Sequence, residues 1–255
     1  MKQKILIFTD LHYGSKIENK DGKEGVNTHG HIIKSDLLKL KKAIIKENPD
    51  FVINLGDTVT AFSHEDAVNT YKDYLNIFAD LPMPLYHLHG NHDFKQLNEK
   101  ELNELVGQKD KVSFTHDNIL HLFVKAYKDD EKKVVFVKEE TIQWLEKEIA
   151  NTDKKMAVYI HYPITEDKDN LGYYHINRPE VAFVQESKLL KDIFEKSGKV
   201  LSVISGHTHF FYEKKIKGIK HITIPSFSED KDGKPSTEYG IVHFPSMDVE
   251  VKKIR

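Results

Sequence analysis

Five apolar runs in this chain stop on the same kinds of residue, and that repetition constrains the fold more than any other feature. KILIF (4–8) runs into Thr9, Asp10, Leu11 and His12, and FVINL (51–55) into Gly56 and Asp57. PLYHLH (84–89) runs into Gly90, Asn91, His92 and Asp93, MAVYI (156–160) into His161, and VLSVIS (200–205) into Gly206, His207, Thr208 and His209. Short apolar runs bounded by turn residues read as buried strands. The intervals carry helical spacing at 37–47, 65–81, 95–106, 140–151 and 186–196. Strands alternating with helices argue for parallel pairing with right-handed crossovers. In such α/β sheets ligands bind beyond the carboxyl ends of the strands, so one rim should collect all five polar endings.

The remaining segments fit around this plan. Residues 112–137 alternate with turn signals at DN and KDDEKK and read as hairpin strands. The last fifty residues lack helical spacing and read as antiparallel strands. A chain of 255 residues with no linker-like stretch is expected to form a single domain over 1–255. Two long polar loops, 13–33 and 162–180, are the exposed candidates for function. There is no cysteine, which excludes disulfides, thiolate ligands and cysteine nucleophiles. No apolar run approaches the length of a membrane span, and the apolar start is too short for a secretory leader. A cytoplasmic protein is expected. The formal net charge of −2 leaves no basic surplus to hold a nucleic-acid polymer or an anionic membrane.

The residue types at the rim point to metal. Asp10, His12, Asp57, Asn91, His161, His207 and His209 offer carboxylate, carboxamide and imidazole donors without sulfur, a set suited to Mn²⁺, Fe, Zn²⁺ or Co²⁺. Seven donors are too many for one ion with an open position and fit two ions sharing a carboxylate. Two divalent ions, two aspartates and a hydroxide would leave about one positive charge, which a phosphodiester neutralises. A lone HxH or GD is more often a polar turn. Turn chemistry alone, however, does not place histidine at so many strand ends. His207 and His209 stand two apart, so strand alternation would send both to one side and Thr208 elsewhere.

The ordered motifs DLH, GD, GNHD, H and GHTH, from Asp10 to His209, resemble the calcineurin-like metallophosphoesterase superfamily. They look most like its small members, including the class III cyclic-nucleotide phosphodiesterases. The resemblance implies an α/β fold: a four-layer α-β-β-α sandwich of two mixed sheets flanked by helices. It implies that Asp10, His12 and His209 hold one divalent ion, that Asn91, His161 and His207 hold the other, and that Asp57 bridges both. It implies that hydroxide held between the ions attacks phosphorus, that His92 sits over the phosphate and protonates the leaving oxygen or stabilises the transition state, and that Asp93 orients His92. The favoured activity is a phosphodiesterase on a small phosphorylated substrate, a nucleotide such as a cyclic nucleotide. The alternatives are a phosphomonoesterase, a nucleotide pyrophosphatase, or a non-catalytic binding scaffold of the same fold.

Other residues read more plainly. His87 is expected to be packed core, and His89 to be packed with a lesser case for supporting a metal ligand. His29, His31 and His64 read as solvated loop residues, and His116, His121, His221 and His243 as structural. Tyr13, Tyr173, Tyr174, His175 and Arg178 have the chemistry to touch a base or phosphate. The plainer reading is preferred for each: the aromatics anchor their loops and Arg178 pairs with an acid.

Overall fold

A computed structural model describes residues 2–14, 32 and 34–254. In chain order the elements begin with β1 (Gln3–Phe8), β2 (Tyr13–Gly14), α1 (Lys34–Glu47), β3 (Phe51–Asn54), β4 (Val59–Thr60), α2 (His64–Phe78) and β5 (Leu85–His87). Then come α3 (Glu99–Val106), β6 (Val112–His116), β7 (Ile119–Val124), β8 (Tyr127–Asp129), β9 (Val134–Phe136) and α4 (Glu139–Ala150). The chain finishes with β10 (Lys155–Ile160), α5 (Ser187–Ser197), β11 (Val200–Ser205), β12 (Tyr212–Ile216), β13 (Ile219–Thr223), β14 (Glu238–Phe244) and β15 (Asp248–Lys253).

Two mixed sheets result. The first has the order β15-β14-β1-β3-β5, with β1, β3 and β5 parallel and β14 antiparallel to β1. The second has the order β12-β13-β11-β10-β7-β6, with β7, β10, β11 and β13 parallel and antiparallel strands at both edges. Strand alternation explains how they stack. On β1, Ile5 and Ile7 join Phe51, Ile53, Tyr159, Ile204 and Val242 in a core between the sheets. Leu6 and Phe8 face the other way, onto Leu37, Leu40 and Ile44 of α1 and Tyr71 and Tyr74 of α2. On β10, Val158 and Ile160 face Leu145 and Ile149 of α4 and Leu190 and Phe194 of α5. Both faces of each central strand are covered, which is why those strands read as unbroken apolar runs. The outcome is the expected four layers, helix, sheet, sheet, helix.

Three helix boundaries differ from the sequence reading by three residues or more, the first being the start of α1 at Lys34 rather than 37. The spacing at 95–106 runs through a short 3-10 turn, Asp93–Lys95, and α3 begins only after Asn98. Asn98 and Glu101 form a reciprocal capping box there, which sets the start more firmly than apolar spacing. Helix α2 stops at Phe78 rather than 81, because Leu81 turns its N–H back to the Phe78 carbonyl ahead of Pro82. Among the described residues no helix is long and apolar enough to cross a membrane.

Candidate metal centre

Parallel pairing carries the ends of β1, β3 and β5 to one edge of the first sheet, and those of β10 and β11 to the matching edge of the second. Backbone hydrogen bonds stitch the endings together. Asp10 N–H donates to Gly56 O at 2.9 Å, His12 N–H to Asp57 O at 3.0 Å, and Gly206 N–H to His161 O at 2.9 Å. Two bonds cross between the sheets: His207 N–H to Asp10 Oδ2 at 3.0 Å, and His161 Nδ1 to Leu55 O at 2.9 Å.

The rim backbone is under strain. Among the described residues eleven non-glycine residues have positive φ, and Asp10, His12, Asp57, His207 and His209 are five of them. Such a conformation costs on the order of 1–3 kcal/mol per residue and persists where the surroundings enforce it. It also corrects the expectation for GHTH. β11 ends at Ser205, so His207 and His209 do not stand on an extended strand and strand alternation does not aim them. Left-handed backbone at both, φ 69° and 71°, parts the two rings instead. Thr208 between them is buried and donates to Asn170 Oδ1.

Three groups of donor atoms come together: Asp10, His12 and His209; His12, Asp57 and His92; and Asp57, His161 and His207, each within 4.8 Å. His209 Nε2 lies 3.3 Å from Asp10 Oδ1. Asp57 Oδ2 lies 3.8 Å from His12 Nε2 and 3.6 Å from His161 Nε2. Its Oδ1 accepts the His92 backbone N–H at 2.7 Å. Asp10 Oδ1, Asn91 Oδ1 and His161 Nε2 are buried with no hydrogen-bond partner. An unpartnered buried polar atom is costly, and three in one cluster of hard oxygens and imidazole nitrogen fit divalent cations as the missing partner. Gly90 leaves the room: a Cβ there would sit 2.6 Å from His161 Nε2 and against the Asp57 carboxylate.

The charges in the cluster depend on one another: against burial, Asp57 and Asp10 push His161 up to about 9, and Asp10 and Glu229 push His209 up to about 10. Burial would raise the carboxyl of Asp57, but the imidazoles of His161, His92 and His12 overcome it and hold it well below its usual range. Burial likewise opposes ionisation of Asp10, and His209 and His161 overcome it. His207 is held well below the ordinary histidine value by burial, then by His175 and His161.

Each expected histidine ligand has its other ring nitrogen engaged. Nδ1 of His12 meets Thr60 Oγ1 at 3.2 Å, Nδ1 of His161 meets the Leu55 carbonyl, and Nδ1 of His209 meets Glu229. His207 is reversed, with Nε2 at 2.9 Å from the Val181 carbonyl, so its Nδ1 is the free atom. These contacts fix ring orientation and tautomer. Sequence reasoning missed Thr60 and Glu229. Thr60 is visible only as the third residue after Asp57, and Glu229 sits in a polar tail segment without a motif.

His92 stands edge-on to His12, ring centroids 4.5 Å apart, and its Nδ1 meets the Thr60 hydroxyl at 3.2 Å. The orienting role expected of Asp93 is corrected here. The Asp93 carboxylate is buried and accepts backbone N–H groups from Thr58, Val59 and Gly90 at 2.9–3.2 Å, so it clamps the two loops together while Thr60 faces the ring. Lys95, also unanticipated, brings Nζ to 3.4 Å from His92 Nδ1.

The other histidines behave largely as read. His87 and His89 are buried beside the hydroxyls of Tyr74 and Tyr71, His121 bonds the Tyr159 hydroxyl, and His221 is buried. His116 and His243 pair with Asp50 and Glu250. His64 opens α2 and pairs with Glu101. His29 and His31, with most of the 13–33 loop, lie outside the described residues. Tyr13 donates to Asp73, which anchors it to α2. In the 162–180 loop, His175 is buried with its ring 4.5 Å from that of His207. Tyr174 is exposed and receives Arg178 Nη1 at 3.0 Å, and Arg178 has no carboxylate partner among the described residues, contrary to expectation.

Residues 3–211 match the family described as calcineurin-like phosphoesterase, and the chain belongs to that family. A "Probable cyclic nucleotide phosphodiesterase" of Ruthia magnifica subsp. Calyptogena magnifica is 23% identical over 252 residues, covering 97% of this chain and 95% of that one. A protein of the same name from Vesicomyosocius okutanii subsp. Calyptogena okutanii is 23% identical over 231 residues, 89% of this chain and 87% of that one. Among solved structures, a dimetal phosphatase from Danio rerio aligns over 99% of both chains with a TM-score of 0.72 at 13% identity, a likeness of fold.

Proposed function

We propose that this protein is a dinuclear-metal phosphodiesterase acting on small nucleotides, cyclic nucleotides among them, with residues 1–255 working as one domain. The observation that carries the proposal is the set of three unpartnered buried donors beside a carboxylate oxygen that His161 and His12 approach at 3.6 and 3.8 Å. Asp10, His12 and His209 would hold one divalent ion, Asn91, His161 and His207 the other, and Asp57 would serve both. The donor chemistry suits Mn²⁺, Fe or Zn²⁺. When bound, such ions polarise phosphoryl oxygens and acidify water near neutral pH. The two relatives named as cyclic nucleotide phosphodiesterases support the substrate class.

The chain's own part follows from the hydrogen bonds. With Nε2 of His12 committed as a bare donor atom, its proton sits on Nδ1 and is given to Thr60 Oγ1. Thr60 can then direct its own proton to His92 Nδ1. That leaves His92 with its N–H on Nε2, able to hydrogen-bond a phosphoryl or leaving oxygen; protonated on both nitrogens it could pass that proton on. The Asp57–His92 backbone bond holds this acid against the cluster, and the Asp93 clamp keeps its loop in place.

The test is a screen of Mn²⁺-loaded protein against bis-p-nitrophenyl phosphate, cyclic nucleotides, nucleoside diphosphate conjugates and simple monoesters. Metal-dependent turnover of diesters above monoesters is the expected result. A preference for monoesters or diphosphate conjugates replaces the substrate class. Tightly held metal without turnover of any ester replaces the enzyme by a binding scaffold.

A further inference from the structure

Glu229 is a buried carboxylate that the proposed chemistry does not use. It is 1% exposed, and among the described residues no lysine or arginine pairs with it. Its charge is met by the imidazole of His209, which holds the carboxylate where a lone one would be costly to bury. Its neighbours are Nδ1 of His209 and, at 3.4 Å from each carboxylate oxygen, the hydroxyl of Tyr173. The turn carrying it is bound to the same two residues it serves. Ser226 N–H donates to His209 O, and Ser228 N–H donates to Asp10 O at 3.2 Å. The Ser226 hydroxyl donates to Asp10 O at 3.1 Å and accepts Glu229 N–H at 3.3 Å. Glu229, His209 and Asp10 therefore share one hydrogen-bonded frame.

We propose that Glu229 is a positioning residue of the metal centre, and that Tyr173 ties the loop at 162–180 to it. The inference rests on the ligand reading above. The carboxylate accepts the Nδ1 proton of His209, so with an ion bound Nε2, which lies 3.3 Å from Asp10 Oδ1, would be the atom left to hold it. A negative partner behind the ring makes Nε2 a better donor to a cation in front of it. A cation there in turn offsets the burial of Glu229. The Tyr173 hydroxyl caps the far side of the carboxylate, while Gly233 leaves space for the Tyr173 ring, to which a Cβ would come within 3.0 Å. The substrate-side loop and one metal ligand are thereby joined through a single carboxylate.

The experiment measures Zn²⁺ affinity by chelator competition and Zn²⁺ content by elemental analysis, on the full chain as wild type, Glu229→Ala, Glu229→Gln and Tyr173→Phe. Glu229→Ala is expected to weaken one of two Zn²⁺ sites by about 10–100-fold and leave the other unchanged. Glu229→Gln keeps an acceptor oxygen without the charge and is expected to fall between wild type and Glu229→Ala. It also serves if the alanine variant fails to fold. The ring nitrogen NMR shifts of His209 in Zn²⁺-loaded protein are expected to move in both Glu229 variants, a change that a merely structural role does not produce. Tyr173→Phe is expected to weaken the same site by a smaller factor. Wild-type protein that takes up no Zn²⁺ overturns the ligand reading and this inference with it. Wild type with two ions, alongside a folded Glu229→Gln with unchanged affinities and unchanged His209 shifts, overturns this inference alone.

Discussion

Gly90→Ala puts one methyl group into the centre of the cluster. The φ of Gly90 lies outside the left-handed region, so alanine carries no backbone penalty and any effect comes from the Cβ. That atom would lie 2.2 Å from Asp57 Oδ1 and 2.6 Å from His161 Nε2. Ordinary contact between such atoms is about 3.5 Å, so each must retreat by about 1 Å or more. Neither is free to do so: Asp57 Oδ1 is held by His92 N–H at 2.7 Å, and His161 Nδ1 by Leu55 O at 2.9 Å. Overpacking of this kind costs about 1–3 kcal/mol. At about 2–4 °C per kcal/mol for a chain of this size, the metal-free protein should melt roughly 2–12 °C lower and still fold. Function should suffer more, because a constellation must be held within about 0.5 Å. Turnover of bis-p-nitrophenyl phosphate should fall by at least about 100-fold, with elemental analysis finding fewer than two ions per chain. Gly107→Ala is the control. It places a methyl in open space at φ +65°, so it should cost about 1 kcal/mol or more of stability and leave activity intact. Two ions and wild-type turnover in Gly90→Ala would refute the placement of the chemistry at this cluster.

Three further outcomes are expected. Asp57→Asn should reduce the content of both ions, and a variant retaining two per chain argues against a shared carboxylate. His92→Ala should keep both ions while turnover drops about 10²–10⁴-fold, with Thr60→Val showing part of that loss; undiminished rates would place the acid elsewhere. The third concerns acid stability away from the cluster. Burial pushes His87 and His121 down to about 3, so the folded protein holds them neutral while the unfolded chain protonates them near 6.5. Their contribution is complete above pH 6.5 and is lost as pH falls toward 3, about 2 kcal/mol each by pH 5. Denaturant midpoints from pH 7 to 5 should fall accordingly, and less steeply in His87→Gln and His121→Gln; slopes equal to wild type would contradict the assignment.

The sandwich was legible in the chain because its cause is local. A strand covered on both faces must be apolar throughout, and β1, β3, β10 and β11 say so by composition alone. The expected ligands were legible because each stands immediately after such a strand, and parallel pairing leaves one place for those ends to go. Boundaries set by side-chain caps, as at Asn98, were less visible because apolar spacing carries no information about them.

What the sequence alone determined is therefore the layer order and the rim at which the expected donors gather. The tertiary structure decided which nitrogen of each histidine is free, and it replaced Asp93 by Thr60 beside the His92 ring. It also brought Glu229 behind His209 from 20 residues away. These contacts depend on left-handed backbone at Asp10, His12, Asp57, His207 and His209 and on bonds between the two sheets. Such conformations are unfavourable for the isolated segments and exist only because packing elsewhere holds them, so no reading of one segment at a time contains them.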